Sequence, residues 1–414
     1  MSQILLSPAP RADESTPQHA DGAVPCRNVR LQADQIDASG RLRTSAADLS
    51  AEDSRTGNGA GNGADAAGAG PGAGASGRIA KELVHLSFDD AVYLTGCEQQ
   101  DATHYTVSAV WPAHTAHRIP GHGTHYETLA VAQTIRQAGL FLAHTAYAAP
   151  LDHATLLRTF SYTLNTDAAV DTHRATPLHI NITATPTTTR NKRTTALHLH
   201  MTVTAAGSGS GDAGDADSET VLATGETDFE WIPPMVYRRL RGAYHRPPTT
   251  LPPVTPPLPP VQVGRTTPDE VVLTPTAQPR TWQLRHTFDN TVLYDHAVDH
   301  VPGLVLIEAA NQAAYTVTAP VTEAVTAGTD ADTDADTDTD TGPCACAPDT
   351  AGTGYRPQPT TTHTTFHRYA EFDAPLTVTT ETRTTSHTVT HTTVGLQNDQ
   401  PVFTTTHTAP APVA

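Results

Sequence analysis

The segment ETLAVAQTIRQAGLFLAHTAY, residues 127–147, decides how the rest of the chain can fold. It is apolar almost all the way round a helix, which is typical of a helix buried on every side. A second segment, LVLIEAANQAAYTV at 304–317, has the same character. The sequence therefore predicts two buried helices, and each needs a surrounding layer large enough to cover it.

That layer is predicted to be β-structure. Runs rich in threonine and valine, with apolar and polar residues alternating, suit a pleated and half-buried surface. They occupy residues 103–111, 177–185, 194–204, 219–231 and 376–395. Each half of the chain is thus predicted to consist of strands, then one long apolar helix, then three or four further strands.

Polar residues recur inside the two helices at matching positions. The two sets are Gln133, Arg136 and Gln137 in the first helix and Glu308, Asn311 and Gln312 in the second. Eight residues before each set lies a histidine, His125 in the first half and His300 in the second. A buried helix wrapped by one antiparallel sheet is the hotdog arrangement. We therefore predict an α+β double hotdog, with two repeats in one chain.

Breaks in composition separate these parts. Glycine- and alanine-rich sequence fills 57–77, proline-rich sequence fills 247–260, and TDADTDADTDTDT occupies 329–341. The glycine-rich segment buries too little apolar surface to offset its chain entropy, and the acidic segment repels itself. The proline-rich segment is typical of a semi-rigid spacer. We predict a disordered tail at 1–80, hotdog domains at 81–246 and 262–410, a linker at 247–261, and an acidic disordered insertion at about 325–355.

Overall composition excludes several classes of protein. Of 414 residues, 25 are Lys or Arg and 43 are Asp or Glu, a net charge of −18. This charge disfavours nucleic acid and anionic membranes as partners. No apolar run approaches the roughly 20 residues of a membrane span, and the start lacks the features of a signal peptide. Four cysteines make no disulfide framework and the Cys344–Cys346 pair makes no metal site, so we expect a cytoplasmic protein without a bound metal.

Glu308 is the most informative single residue. A carboxylate inside LVLIEAANQAA is costly to bury unless it is paired or functional. Burial favours a general base, whereas a structural carboxylate paired with Arg136 is the alternative. Arg136 has the matching alternatives, since a guanidinium holds either a phosphate or a carboxylate with two hydrogen bonds. The Pro302–Gly303 pair precedes the second helix, where free amides near Gly303 could bind an oxyanion or simply follow a turn.

Several segments together resemble the A-factor biosynthesis (AfsA-like) family, the γ-butyrolactone autoregulator synthases of actinobacteria. The segments are LVH at 83–85, AVWP at 109–112, TIRQAGLFLAHTAYAAPL at 134–151, PPMVYRRLRG at 233–242, VGRTTPDEVVL at 263–273, LYDHAVDHVPGLVLIEAANQAA at 293–314 and FHRYAEFDAP at 366–375. The resemblance implies an acyltransferase that moves a β-ketoacyl group from acyl carrier protein to the hydroxyl of dihydroxyacetone phosphate. It implies no cofactor beyond the phosphopantetheine that arrives with the donor.

The resemblance also implies roles for individual residues. Glu308 becomes the catalytic base, with His296 or His300 as a catalytic histidine oriented by Asp299. The substrate-binding positions are Arg136 for the phosphate, Gln133, Gln137, Asn311, Gln312, Gly303 and His125. The run Arg238, Arg239 and Arg241 is a second contact for phosphate or carrier protein, or else a solvated helix end.

The chain departs from the family's Glu-x-x-Arg-Gln pattern once in each helix. Gln133 replaces the acid in the first helix, and Asn311 replaces the arginine in the second. The losses are complementary, so Arg136 and Glu308 could serve one composite site. Two other functions stay open. One is a non-catalytic regulatory or binding homologue, and the other is a dehydratase or thioesterase on carrier-bound acyl chains.

Overall fold

The computed structural model describes residues 78–112, 128–168, 174–205, 219–318 and 359–411. Residues 1–77 of the predicted tail, the predicted insertion at 325–355 and His125 lie outside the described residues. Three α-helices are present in the described part of the chain. They are α1 (Thr128–Thr145), α2 (Pro234–Arg241) and α3 (Gly303–Thr318).

Within the described ranges, twelve strands form one antiparallel sheet. They are β1 (Leu94–Gln99), β2 (His104–Trp111), β3 (Ala154–Leu164), β4 (Thr176–Arg190), β5 (Arg193–Ala205), β6 (Thr220–Ile232), β7 (Leu273–Pro275), β8 (Thr281–Leu284), β9 (Thr361–Phe366), β10 (Leu376–Thr384), β11 (Thr388–Gln397) and β12 (Gln400–Pro410). The order across the sheet is β1-β2-β4-β5-β6-β3-β9-β12-β11-β10-β8-β7. The second six strands repeat the first six in reverse, so the sheet consists of two hotdog halves.

The halves join where β3 pairs with β9. The pairing is antiparallel and centres on Ser161 opposite His363. The sequence predicts a sheet around each helix, and the structure merges the two sheets into one. Backbone hydrogen bonding across the joint satisfies edges that would otherwise be exposed, because an unpaired edge strand leaves a row of free N–H and C=O groups.

The repeat extends to single backbone hydrogen bonds before each first strand. In both halves a residue ahead of a short 3₁₀ helix bonds to the first strand, and a turn closes the 3₁₀ helix. The bond from Ile79 N to Leu94 O in the first half matches the bond from Leu258 N to Leu273 O in the second. The turn bond from Leu86 N to Lys81 O matches that from Arg265 N to Pro260 O. Leu86 and Arg265 are therefore equivalent positions. Leu258, inside the predicted linker, is buried against the second half.

Helix α1 is buried on every side, as its sequence predicts. All of its residues except Thr128 and Arg136 are buried. Close packing on the sheet depends on a glycine, since a Cβ at Gly225 of β6 would come within 2.4 Å of Ile135. No helix among the described residues has the length and apolar character needed to cross a membrane.

The inner face of the second half is more polar than that of the first. Seven threonines and histidines on its strands are almost fully buried: Thr362, Thr364, Thr380, His391, Thr393, Thr405 and His407. Hydrogen bonds link some of them in pairs, including Thr380 with Thr393 at 2.8 Å between hydroxyl oxygens. Burial of hydroxyls is tolerated when they are hydrogen-bonded to one another.

Candidate functional site

Glu308 lies in the middle of α3 and is 1% exposed. Arg265 holds it with two charge-assisted hydrogen bonds, from Nε to Oε1 and from Nη2 to Oε2, both 2.8 Å long. The amide of Gln312 also donates to Oε1 at 2.5 Å. The partner of the carboxylate is thus Arg265, in the loop before β7, and the pairing with Arg136 considered from the sequence is not formed.

The first half replaces this ion pair with neutral residues. Gln133 occupies the position equivalent to Glu308, and Leu86 occupies the position equivalent to Arg265. Both are buried, and Oε1 of Gln133 has no hydrogen-bond partner in the described part of the chain. The acid and its arginine are therefore absent together from the first half, as a unit.

Gln137 and Gln312 perform one structural task in the two halves. Gln137 accepts from the backbone N–H of Tyr93 and donates to the carbonyl of Ala91. Gln312 accepts from the N–H of Val272 and donates to the carbonyl of Glu270. Each glutamine clamps the segment that enters the first strand of its half. Both side chains are 0% exposed, and in each half the amide holds backbone that leads into the first strand.

Arg136 also binds backbone. Its guanidinium donates from Nη1 to Val84 O at 3.2 Å and lies 3.5 Å from His85 O. Burial lowers its pKa to about 10, and the opposing charge of Asp295 limits that fall. Arg136 therefore stays protonated at neutral pH and supports the carbonyl end of the 83–85 segment. It and Glu308 have separate partners, so the structure does not bring the composite pair together.

Asn311 makes polar contacts between the two halves. Its side-chain amide donates to the Thr128 hydroxyl at 3.2 Å, at the start of α1. Its carbonyl oxygen lies 2.8 Å from His407 Nε2 and 3.4 Å from the hydroxyl of Tyr162. A neutral amide suits this position because it both donates and accepts.

His300 precedes α3 and is oriented by Asp299. The two side chains meet with 2.5 Å between Nδ1 and Oδ1, and Asp299 Oδ2 accepts from the hydroxyl of Tyr237 at 2.6 Å. Burial alone would raise the pKa of Asp299, but hydrogen bonds from His300 and Tyr237 and the charge of Arg241 lower it below its usual value. The carboxylate therefore keeps the proton of His300 on Nδ1 and leaves Nε2 as the basic atom.

The three arginines of the run, Arg238, Arg239 and Arg241, lie in different environments. Arg241 is buried, pairs with Glu371, donates to the carbonyl of Asp299 at 3.0 Å and lies 4.1 Å from the ring of Tyr369. It is a structural support for the Asp299 loop and not a solvated helix end. Arg238 and Arg239 are exposed.

A cleft of about 500 Å³ lies beside this network. Its polar lining consists of His85, Asp152, His153, Thr155, Tyr237, Arg238, His245 and Arg246. Two arginines and three histidines face one carboxylate, and Asp152 lies 3.0 Å from His153 Nδ1. The cleft is thus suited to an anionic group. Tyr237 connects it to Asp299 and hence to His300.

His85 is a candidate that the sequence did not single out. Its Nε2 lies 2.8 Å from Nε2 of His144, whose Nδ1 donates to the carbonyl of Ala149 at 2.7 Å. A carbonyl only accepts, so neutral His144 must accept from His85, and Nδ1 of His85 carries no proton. Burial, with the neighbouring charge of Arg136, lowers the pKa of His85 to about 3. The sequence signal for His85 was its place in the LVH segment at 83–85. Its partner His144 lies 59 residues further along the chain, so the sequence does not show the pair.

The remaining predicted residues flank the start of α3. His296 is half exposed, with Nδ1 3.1 Å from Asp295, and Asp295 accepts from the backbone N–H of Ser87. Gly303 is the first residue of α3, and a Cβ there would lie 3.4 Å from Phe366 and 3.5 Å from Leu157. The described residues contain no cluster of three or more side chains that could hold a metal ion.

Comparison with known proteins agrees with this architecture. The family model of the A-factor biosynthesis hotdog domain matches residues 72–214 and 248–335. Three relatives are each named 2-oxo-3-(phosphooxy)propyl 3-oxoalkanoate synthase. The Streptomyces coelicolor protein is 29% identical, over 66% of this chain and 71% of its own. The Streptomyces virginiae protein is 30% identical, over 58% of this chain and 76% of its own. The Streptomyces griseus protein is 26% identical, over 80% of this chain and 94% of its own. The chain belongs to the A-factor biosynthesis hotdog family.

Proposed function

We propose that this protein transfers a β-ketoacyl group from acyl carrier protein to the hydroxyl of dihydroxyacetone phosphate. The product named for the relatives is an ester of a 3-oxoalkanoate with a phosphorylated three-carbon ketone, which is what this transfer yields. The observation that supports the assignment to this chain is the pair His300–Asp299, placed at the start of α3 and linked through Tyr237 to a cleft lined by arginine. The expected compartment is the cytoplasm.

His300 is the proposed general base. Its Nε2 takes the proton of the acceptor hydroxyl while the hydroxyl oxygen attacks the thioester carbonyl carbon. The new C–O bond forms, a tetrahedral intermediate collapses, and the C–S bond breaks. The proton then passes from Nε2 to the leaving thiolate. Asp299 keeps Nδ1 protonated and stabilises the imidazolium that forms between the two proton transfers.

The first amides of α3 are the proposed oxyanion site. Pro302 precedes the helix, and the amides of Gly303 and Leu304 have no backbone partner in the described residues. The N-terminus of a helix attracts negative charge. A Cβ at position 303 would narrow the space against Leu157 and Phe366, so glycine allows the thioester carbonyl to approach the backbone.

The phosphate of the acceptor is assigned to the cleft, with Arg238 and Arg246 as its charged contacts. Guanidinium groups bind phosphate with two hydrogen bonds, and both of these side chains are at the surface of the cleft. Arg136 is assigned a structural role, because it is turned toward the backbone carbonyls of Val84 and His85. Glu308 is assigned a structural role, because Arg265 and Gln312 already occupy its oxygens.

The test uses purified protein, a β-ketoacyl carrier thioester and mass spectrometry, with and without dihydroxyacetone phosphate. We expect a phosphorylated acyl ester that appears only when the acceptor is present. His300→Gln should lower turnover by a factor on the order of 10²–10⁴, typical for loss of a general base. His363→Gln, which changes an exposed histidine on β9, is the matched control and should keep normal turnover.

The rival functions give different results in the same experiment. Release of free acid or an enoyl product in the wild type, whether or not acceptor is present, indicates a thioesterase or dehydratase. Binding of both substrates without any product indicates a non-catalytic homologue. Normal turnover in His300→Gln refutes the assignment of the base.

A further inference from the structure

Helix α2 presents its apolar side chains to solvent. Tyr237 and Arg241 point into the protein, where they bind Asp299 and Glu371. Met235, Val236 and Leu240 lie on the other side and are 75%, 47% and 54% exposed. A surface helix normally does the reverse, with its apolar stripe toward the core. An outward apolar stripe on a well-anchored helix indicates a surface that another molecule covers.

The exposed apolar residues in the described part of the chain are concentrated in this region. Among the described residues, ten large apolar side chains are exposed, and seven of them lie between positions 235 and 261. The seven are Met235, Val236, Leu240, Tyr244, Leu251, Val254 and Val261. Scattered single exposures are ordinary, but such a concentration along one continuous stretch is typical of an interaction surface.

The same region has the opposite charge to the rest of the chain. The protein has a net charge of −18, yet no acidic residue occurs from 231 to 268. Arg239 is exposed and follows Met235 by four residues and Val236 by three, a spacing that places cationic and apolar groups on one face of the helix. A partner that fits it needs an apolar contact surrounded by carboxylates, since complementary charge speeds encounter and sets orientation.

We propose that the α2 outer face, formed by Met235, Val236, Arg239 and Leu240, is the docking surface for the acyl carrier protein that delivers the thioester. The inference rests on the proposed function and adds the surface that recognises the donor. Acyl carrier proteins are small, acidic and helical, and they match both the charge and the apolar contact. The cleft is lined by Tyr237 and Arg238 of the same helix. A carrier bound to the α2 outer face therefore has its prosthetic arm within about one helix diameter, ~10 Å, of the cleft.

The test separates carrier recognition from chemistry by using two donors. One donor is a β-ketoacyl group on holo-carrier protein, and the other is the same acyl group on free pantetheine. Binding of apo-carrier protein, which lacks the arm, is measured separately by fluorescence anisotropy. The variants are Arg239→Glu and Leu240→Asp. Arg193→Glu and Val221→Asp make the same changes at exposed positions on β5 and β6 and serve as matched controls.

We expect Arg239→Glu and Leu240→Asp to weaken apo-carrier binding by a factor on the order of ten or more, as for residues central to an interface. The KM for the carrier-bound donor should rise by a similar factor, while kcat/KM for acyl-pantetheine stays at the wild-type value. Both controls should bind carrier normally. Circular dichroism spectra that match the wild type establish that each variant is folded.

Three results would overturn the docking proposal. One is unchanged carrier binding in both variants, and another is an equal loss with both donors, which indicates a distorted site. The third is a wild-type dimer that Leu240→Asp dissociates, which assigns the surface to a second copy of this chain. If the wild type binds carrier through this face but transfers acyl groups from neither donor, the proposed function fails and the docking surface stands.

Discussion

Replacing Arg265 by leucine, alone and together with Glu308→Gln, tests the interpretation of the buried ion pair. Arg265→Leu leaves the carboxylate of Glu308 buried without its guanidinium, and a buried charge that loses its partner costs about 3–5 kcal/mol. The double variant installs the pair that the first half already uses, Leu86 with Gln133. Because that pair is neutral, the double variant should end within about 1–2 kcal/mol of the wild type.

The measurement is the free energy of unfolding from urea titrations followed by circular dichroism, analysed as a double-mutant cycle. The reverse change, Gln133→Glu, is the matched control in the first half. It buries a carboxylate where position 86 is leucine, and should destabilise by about 3–5 kcal/mol. If the Arg265→Leu/Glu308→Gln double variant is no more stable than Arg265→Leu, the two halves are not interchangeable at these positions and the reasoning fails.

The same double variant tests the catalytic assignment. With His300 as the base, its turnover should stay within about tenfold of the wild type, since loss of a general base costs on the order of 10²–10⁴. A folded double variant whose turnover falls by that larger factor would make Glu308 the catalytic base, as the family resemblance first implied.

Two further predictions concern stability. Burial, with the charge of neighbouring His391, lowers the pKa of His407 to about 3. Between about pH 6.5 and 3 the unfolded state therefore binds a proton that the folded state does not, and stability falls as the pH falls. At pH 5 this histidine alone should cost about 2 kcal/mol relative to pH 8. The corresponding His407→Gln variant should show a shallower loss of unfolding free energy over that range, and an identical loss would contradict the assignment. Gln137→Leu removes the clamp on Ala91 and Tyr93, and two unsatisfied backbone groups should cost about 1–3 kcal/mol each. The KM for the acceptor should stay unchanged, whereas a raised KM in a stable variant would restore Gln137 to the binding site.

The sequence determined the two central helices and most of the strand pattern. Apolar residues on all sides of 127–147 and 304–317 predict buried helices, and the structure has them at Thr128–Thr145 and Gly303–Thr318. Alternating threonine and valine likewise predicts strands that the structure forms. These features follow from local periodicity, which each segment expresses within its own residues. The matched polar sets also indicate the repeat, because their spacing is visible within each helix.

Partnerships between distant residues were decided by the tertiary structure. Nothing in the local sequence pairs Glu308 with Arg265 across 43 positions, or His85 with His144 across 59. The same holds for the β3–β9 pairing, which joins the two sheets. Helix α2 shows how far sequence alone can predict structure, because its sequence does not reveal which side of the helix faces the protein. A periodic pattern specifies which residues share a face, but only packing against the rest of the chain decides whether that face is buried or offered to a partner.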